Sequence, residues 1–218
     1  MWLSRLKNLK HQLKLKLTPS VKKLDEFDPL VYSLAQFKRP KKPYHALAKA
    51  LDRLLKPQTV IDVGCANGYT IDWWLKKGVA ADGLEGARAA FKLMPKAVRP
   101  RVKHWDLRKP LPPGRRYDLV LFTEVAEHIK TEHEEVMLKN VLQLTENYMV
   151  ISWSPAWDDF KGTVKQEHFN PRPKAYVKRR LTALGLKFRP RLTNQLHLRL
   201  NQSAAFPHWS KNLLIFTK

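Results

Sequence analysis

The chain is short of several things, and each shortage excludes something. It has a single cysteine, Cys65, in 218 residues. That leaves no internal disulfide and no cysteine-cluster metal site. A reducing, cytoplasmic-type compartment is the simplest expectation. No apolar run reaches the roughly 18–20 residues that a membrane-spanning helix needs. The N-terminus alternates Leu and Lys, so the continuous apolar stretch of a secretory signal is missing. Acidic residues are scarce: 19 Asp+Glu face 41 Lys+Arg, a formal charge of +22. Such an excess repels itself and steers polyanions toward the surface, so nucleic acid and anionic membrane are the partners it suits. A plain solubility bias would leave the same composition.

The residues that are present suit one globular domain with a short extension: 44% are hydrophobic and 10% aromatic, enough for a sizeable core. Residues 1–43 read as a basic extension. Its first 24 residues hold Arg5, Lys7, Lys10, Lys14, Lys16, Lys22 and Lys23, and no acid precedes Asp25. Leu3, Leu6, Leu9, Leu13 and Leu17 fall near helical spacing. A basic amphipathic helix would lie on a membrane, along a nucleic-acid backbone, or against the domain itself. The tract 13–17 alternates at period two, which a strand would also do. Lys38 to Pro43 reads as a Pro-broken linker.

From Tyr44 onward the pattern alternates helix and strand. Helices are expected over 44–55, 70–76, 87–94, 131–144 and 173–184. Strands are expected over 59–63, 79–84, 101–104, 117–122, 148–153, 186–189 and 213–217. Strands separated by helices of about ten residues imply a doubly wound α/β sheet. Trp73 and Trp74 read as helix packing.

The first strand runs into Asp62-Val63-Gly64-Cys65-Ala66-Asn67-Gly68. Two glycines let the backbone turn sharply and approach a ligand, at the strand end where open α/β sheets bind ligands. The spacing is G-x-x-x-G and not the dinucleotide G-x-G-x-x-G, which disfavours a nicotinamide oxidoreductase. Asp62, on a buried strand, needs a partner and would hold the loop or a cationic ligand. Glu85 ends the second strand, where a carboxylate can accept both ribose hydroxyls. Asp106 and Leu107 follow the third strand and would meet an adenine ring. The fourth strand leads into Phe122-Thr123-Glu124-Val125-Ala126-Glu127-His128.

This ordered series resembles the S-adenosylmethionine (AdoMet) signature of class I methyltransferases, from about Thr59 to the end of the chain. The resemblance implies a Rossmann-like, doubly wound sheet of seven strands, mostly parallel, with an antiparallel last strand. It also implies AdoMet as cofactor, with Asp62, Gly64, Cys65, Asn67, Gly68, Glu85, Asp106, Leu107 and Thr123 around it. Ala66 stands where the family often has Gly or Ser.

The segment 124–128 resembles the E-V-x-E-H motif of several methyltransferase subfamilies. If it begins a helix, Glu124, Glu127 and His128 share one face. Three readings stay open. Glu124 binds the loop near the cofactor while Glu127 and His128 brace the helix start; His128, with an ordinary pKa near 6.5, takes a hydroxyl proton with a flanking carboxylate such as Glu124 orienting it, His168 being the other candidate base; or Glu124, Glu127, His128 and His168 bind a divalent metal such as Mn, Fe or Co. The metal reading resembles the small-RNA 3′-terminal 2′-O-methyltransferases. The later segment His168-Phe169-Asn170-Pro171-Arg172-Pro173, with Tyr176, is more similar to bacterial and phage methyltransferases with an H-x-N-x-x-P pattern. The acceptor expected is a hydroxyl of a sugar, lipid or small metabolite. An RNA ribose with a divalent metal is the alternative, and a non-catalytic AdoMet-binding protein on RNA or membrane is a third. Trp153, Pro155, Trp157 and Phe160 would stack on a ring or close the core. A C-terminal basic group (Lys174, Lys178, Arg179, Arg180, Lys187, Arg189, Arg191, Arg199) would join the N-terminal extension on RNA or an anionic membrane, placing the protein in the cytoplasm or at a membrane periphery.

Overall fold

The computed structural model describes residues 37–155, 168–203 and 208–218. The N-terminal leucine–lysine segment, Trp157 and Phe160 lie outside the described residues. Helix α1 (Lys42–Leu55) precedes β1 (Thr59–Val63), α2 (Tyr69–Lys76) and β2 (Ala80–Glu85). Then follow β3 (Val102–His104), β4 (Tyr117–Thr123), α3 (Glu134–Leu144) and β5 (Thr145–Ser152). The chain closes with α4 (Lys174–Ala183), β6 (Lys187–Phe188), α5 (Pro190–Asn201) and β7 (Leu214–Thr217).

The strands form one seven-stranded sheet in the order β3-β2-β1-β4-β5-β7-β6. Neighbours from β3 to β5 are parallel, and β7 runs antiparallel to both β5 and β6. This is the architecture that the sequence implies, antiparallel last strand included.

Period-two alternation divides the core into two layers. Val60, Leu119, Leu121, Val150 and Ile215 face one side, where α1, α2 and α5 bring Leu47, Leu51, Ile71, Trp74, Leu196 and Leu200. Ile61, Val120, Phe122, Met149, Ile151 and Phe216 face the other, under α3 and α4 with Met137, Leu138, Val141, Val177 and Leu181. Trp74 is fully buried and its ring meets Trp73 edge-on at 5.0 Å, as expected for helix packing. Among the described residues, no helix is long and apolar enough to cross a membrane.

Three local expectations need correction. Residues 87–94 do not form an α-helix but a short 3-10 turn, Ala90–Leu93. Glu85 Oε1 holds the Ala87 amide at 2.7 Å and Pro95 stops the run, so too few residues remain for a stable α-helix. The basic stretch 38–43 is not all linker: Phe37 is buried in the core, and Lys42 and Pro43 are the first residues of α1, where proline is tolerated. Helix α5 was not anticipated, although Pro190 at its start and Leu192, Leu196 and Leu200 at spacing four carry the signal.

The central strand β4 bears on stability most directly. Leu121 is fully buried, so Leu121→Ala is expected to cost about 2–5 kcal/mol. Urea unfolding midpoints of the two proteins check this; a loss well under 1 kcal/mol contradicts the layer assignment.

Candidate active site

The carboxyl ends of β1, β2 and β4 converge. Gly64 and Cys65 leave β1 with both amides donating to the Leu84 carbonyl, at 2.8 and 3.1 Å. Gly64 has φ +76°, and a Cβ there would stand 2.3 Å from Val125 Cγ2. Gly68 has φ +68° and its Cβ would lie 2.4 Å from Val98 Cγ1. Both positions therefore need glycine for conformation and for space. Ala66 adopts φ +50°, so the residue at which this chain departs from the family pattern is itself held in a left-handed conformation.

Glu85 holds this loop. Its Oε2 accepts from the Ala66 amide and its Oε1 from the Ala87 amide, each at 2.7 Å. Each carboxylate oxygen keeps a further lone pair for a ligand hydroxyl. Burial pushes its pKa up to about 7, against the backbone amides of Ala87, Ala66 and Gly86 that favour the charge. Asp62 is likewise buried, accepts from the Thr70 hydroxyl, and is pushed up by burial to about 6. Cys65 turns its side chain into the core: a Cβ on Gly83 would lie 2.9 Å from its Sγ. Burial raises its pKa well above the usual thiol range, with Glu85 and Asp62 adding to the effect. Only its backbone faces the loop's work.

Asn67 is buried and donates through Nδ2 to the Phe37 carbonyl at 2.9 Å, so the segment before α1 is fastened onto the glycine loop. Asp106 is gripped by Arg108, whose Nε lies 2.9 and 3.2 Å from its two oxygens. Burial alone would raise the Asp106 pKa, but the Arg108 bonds outweigh it and lower it. Leu107 is buried, and its carbonyl accepts from Asn140 Nδ2 at 3.0 Å. Asn140 also binds the Lys109 carbonyl and the Leu111 amide. It is a positioning residue on α3 that sequence reasoning missed, since a buried mid-helix Asn carries no motif.

Thr123 ends β4 opposite Ser152 on β5. The E-V-x-E-H segment does not begin an α-helix. Glu124 has φ +55°, and Ala126–His128 is a single 3-10 turn. Helical spacing therefore does not align the three side chains; a strained left-handed residue at the strand end re-aims them instead. The Glu124 amide donates to the Ser152 hydroxyl at 3.0 Å. Glu127 is completely buried; among the described residues neither of its carboxylate oxygens makes a full hydrogen bond, although the backbone amides of Glu127 and Ser154 favour its charge. Burial, and then the charge of Glu124, hold its pKa well above the usual carboxylate range.

The post-β5 segment brings His168 to this point. Its ring meets that of His128 edge-on, centroids 4.9 Å apart. Ligand atoms of Glu127, His128 and His168 all lie within 4.8 Å of one another. Glu124 stands beside that trio and not within it; among the described residues, one of its oxygens is also buried without a hydrogen-bond partner. Burial raises the Glu124 pKa, while Ser152, His168 and Arg39 pull it down.

Glu134, another residue that the sequence did not single out, anchors His168's segment. Its carboxylate accepts from Asn170 Nδ2 at 3.1 Å, Arg172 at 3.2 Å and the Tyr176 hydroxyl at 2.5 Å. The Asn and Tyr of the H-x-N-x-x-P-x-x-Y pattern, with the intervening Arg172, thus converge on one buried carboxylate at the start of α3. Burial works against the Glu134 charge, but these bonds win and lower its pKa. Trp153 closes the core here and donates its indole N–H to the Asn170 carbonyl at 2.6 Å; it is not an open stacking platform.

The raised pKa values predict a pH dependence. Glu85 goes from an ordinary 4.5 to about 7 and Asp62 from 3.8 to about 6, so the folded state binds more protons than the unfolded one between those limits. These two groups therefore make the ligand-free protein less stable as pH rises from about 4 to 7. Glu85→Gln removes its share and should flatten the upper part of that slope. Thermal unfolding of both proteins across this range tests it; an unchanged slope in the variant contradicts the buried assignment.

With the geometry in hand, comparisons with known proteins place the chain. A family model described as "Methyltransferase domain" matches residues 35–189. A comparison of the sequence with curated proteins gives no match. Among solved structures, the chain is similar to magnesium protoporphyrin IX methyltransferase from Synechocystis PCC 6803 with bound SAH: 15% identity, 97% of this chain and 94% of that one covered, TM-score 0.56. It is similar to the plantazolicin methyltransferase BpumL with SAH, at 14% identity, coverage of 88% and 91%, and TM-score 0.58. The methyltransferase domain of a bacterial Hen1 gives 13%, 81% and 96%, and 0.51. At these identities the likeness establishes the fold, and the family match covers well over half of the sequence. The chain belongs to the methyltransferase-domain family and is a class I, AdoMet-dependent methyltransferase.

Proposed function

We propose that the enzyme methylates a hydroxyl oxygen on a sugar, lipid or small metabolite. The observation that carries this reading is the pair of imidazoles, His128 and His168, with ring centroids 4.9 Å apart at the carboxyl end of β4. The acceptor oxygen attacks the methyl carbon of AdoMet as the C–S bond breaks. The electron pair stays on sulfur, giving S-adenosylhomocysteine, and the hydroxyl proton passes to an imidazole. Holding oxygen, carbon and sulfur in line supplies most of the acceleration. Glu127 lies beside the pair, and Glu124 is near enough to His168 for their charges to interact.

On this reading Gly64, Asn67 and Gly68 line the methionyl side of the cofactor. Glu85 accepts the ribose hydroxyls through its remaining lone pairs, and Asp106 with Leu107 faces adenine. Glu85→Ala should weaken AdoMet binding at least about 10-fold, since it removes charge-assisted hydrogen bonds and loosens the loop. Calorimetric titration decides; unchanged affinity sinks the cofactor assignment.

A second reading rests on a specific observation. Two buried carboxylate oxygens of Glu127, neither in a full hydrogen bond among the described residues, lie beside two imidazoles and form a donor set that fits a divalent cation. Glu127, His128 and His168 would hold it, with Glu124 adjacent. The cation would polarise an acceptor hydroxyl pair, as on the terminal ribose of RNA.

Transfer of labelled methyl from AdoMet to lipid-linked saccharides, free sugars and short RNA, with and without Mn²⁺, separates the two. The lead reading expects metal-independent O-methyl product. It also expects His128→Ala and His168→Ala to lower kcat by about 10²–10⁴-fold at unchanged AdoMet affinity. Metal-dependent labelling of RNA replaces it with the second; full activity in both histidine variants rejects the imidazole role.

A further inference from the structure

The edge of the sheet carries a charge that neither the catalytic site nor the cofactor uses. Residues 86–116 contain ten Lys or Arg and one acid, Asp106, a net of +9 in 31 residues. They surround β3, the edge strand beside β2. Asp82 gathers Arg101 at 2.8 Å and Arg115 at 4.0 Å near the entry end of β2. At the other end, Lys103 lies over the Trp105 ring at 4.8 Å, and the Trp105 indole reaches the Lys109 carbonyl. The flanking turn is drawn in as well: Phe91 sits against His104, centroids 6.2 Å apart. Arg88, Lys92, Lys96, Arg99, Lys103 and Lys109 are all exposed.

Cations on an edge strand discourage edge-to-edge pairing, but one or two suffice for that, whereas here they continue through the turns on both sides. The two large aromatics are engaged with neighbours: Trp105 with Lys103 and Lys109, Phe91 with His104. The patch therefore offers dense charge without an open base-stacking platform, which single-stranded nucleic acid generally uses. A diffuse, laterally extended anionic surface needs only the charge. The first 24 residues add seven more cations among leucines, with no acid, a composition suited to the same kind of surface.

We propose that the exposed cations of the β3 edge, within residues 88–103, form a docking face for an anionic lipid bilayer that holds the enzyme peripherally at a membrane. Lys92, Lys96, Arg99 and Lys103 form its centre. Attraction per cation near a charged bilayer is modest and additive, and it weakens with salt. The proposal does not depend on which acceptor is methylated, because binding is read without turnover.

The test is co-sedimentation of the full-length protein with vesicles of phosphatidylcholine alone and of phosphatidylcholine mixed with phosphatidylglycerol. The expected result is salt-sensitive binding to the mixed vesicles only. A Lys92→Glu/Lys96→Glu/Arg99→Glu/Lys103→Glu variant should bind them roughly 100-fold more weakly or worse, with AdoMet binding intact. If that variant misfolds, the same four positions changed to Gln carry the test with a smaller loss. Vesicle binding that is undiminished in a folded variant overturns the proposal. So does a wild-type protein that ignores the mixed vesicles but binds an RNA oligonucleotide through the same four residues.

Discussion

The two hydrogen bonds of Glu85 are the interaction on which the cofactor end of this protein depends. One carboxylate takes the Ala66 amide from the loop after β1 and the Ala87 amide from the turn after β2. Both amides belong to segments without regular structure, and neither has a strand neighbour to donate to. Burying a carboxylate is costly, and these charge-assisted bonds offset that cost. The consequences spread outward. The loop is held where Gly64 can meet Val125 and Gly68 can meet Val98 with no room for a Cβ. Asn67 is then presented to the Phe37 carbonyl, which draws the chain before α1 over the same loop.

A second buried carboxylate organises the opposite end of the cleft. Glu134 sits in the first turn of α3, where the helix dipole favours a negative charge. It gathers Asn170, Arg172 and Tyr176 from a segment that follows β5 and has no sheet partner of its own. That fastening sets His168 against His128. The two carboxylates differ in how their charge is treated. Glu85 has only amide donors and its pKa rises, whereas Glu134 has a guanidinium, an amide side chain and a phenol, and its pKa falls. Glu127 stands apart from both, fully buried with oxygens that no full hydrogen bond among the described residues satisfies. Such a group is expensive in a core and informative in a cleft.

The sheet was largely legible because its signals are local. The run Thr59–Val63 is short, β-branched and bounded by Pro57 and Gly64, and it is strand β1 residue for residue. The continuous apolar runs Leu119 to Phe122 in β4 and Met149 to Ile151 in β5 mark strands covered on both faces. The 87–94 run has a helical composition, but Pro95 leaves it too short for an α-helix. Helix α5 carries its signal in Pro190 and the leucines at spacing four, a pattern that a basic, strand-bordered segment masks.

What the sequence determined by itself is the alternation of strands and helices and the presence of the loop, acid and E-V-x-E-H motifs, since periodicity and spacing are properties of the chain. The tertiary structure decided which side chains meet. Glu124 adopts a left-handed φ that ends any helical alignment with Glu127 and His128. His168 joins His128 across forty residues because Glu134 holds its segment, and Cys65 turns into the core because Gly83 leaves it space. Contacts of that kind depend on burial and on distant hydrogen-bond partners, which become defined only when the sheet has brought the strand ends together.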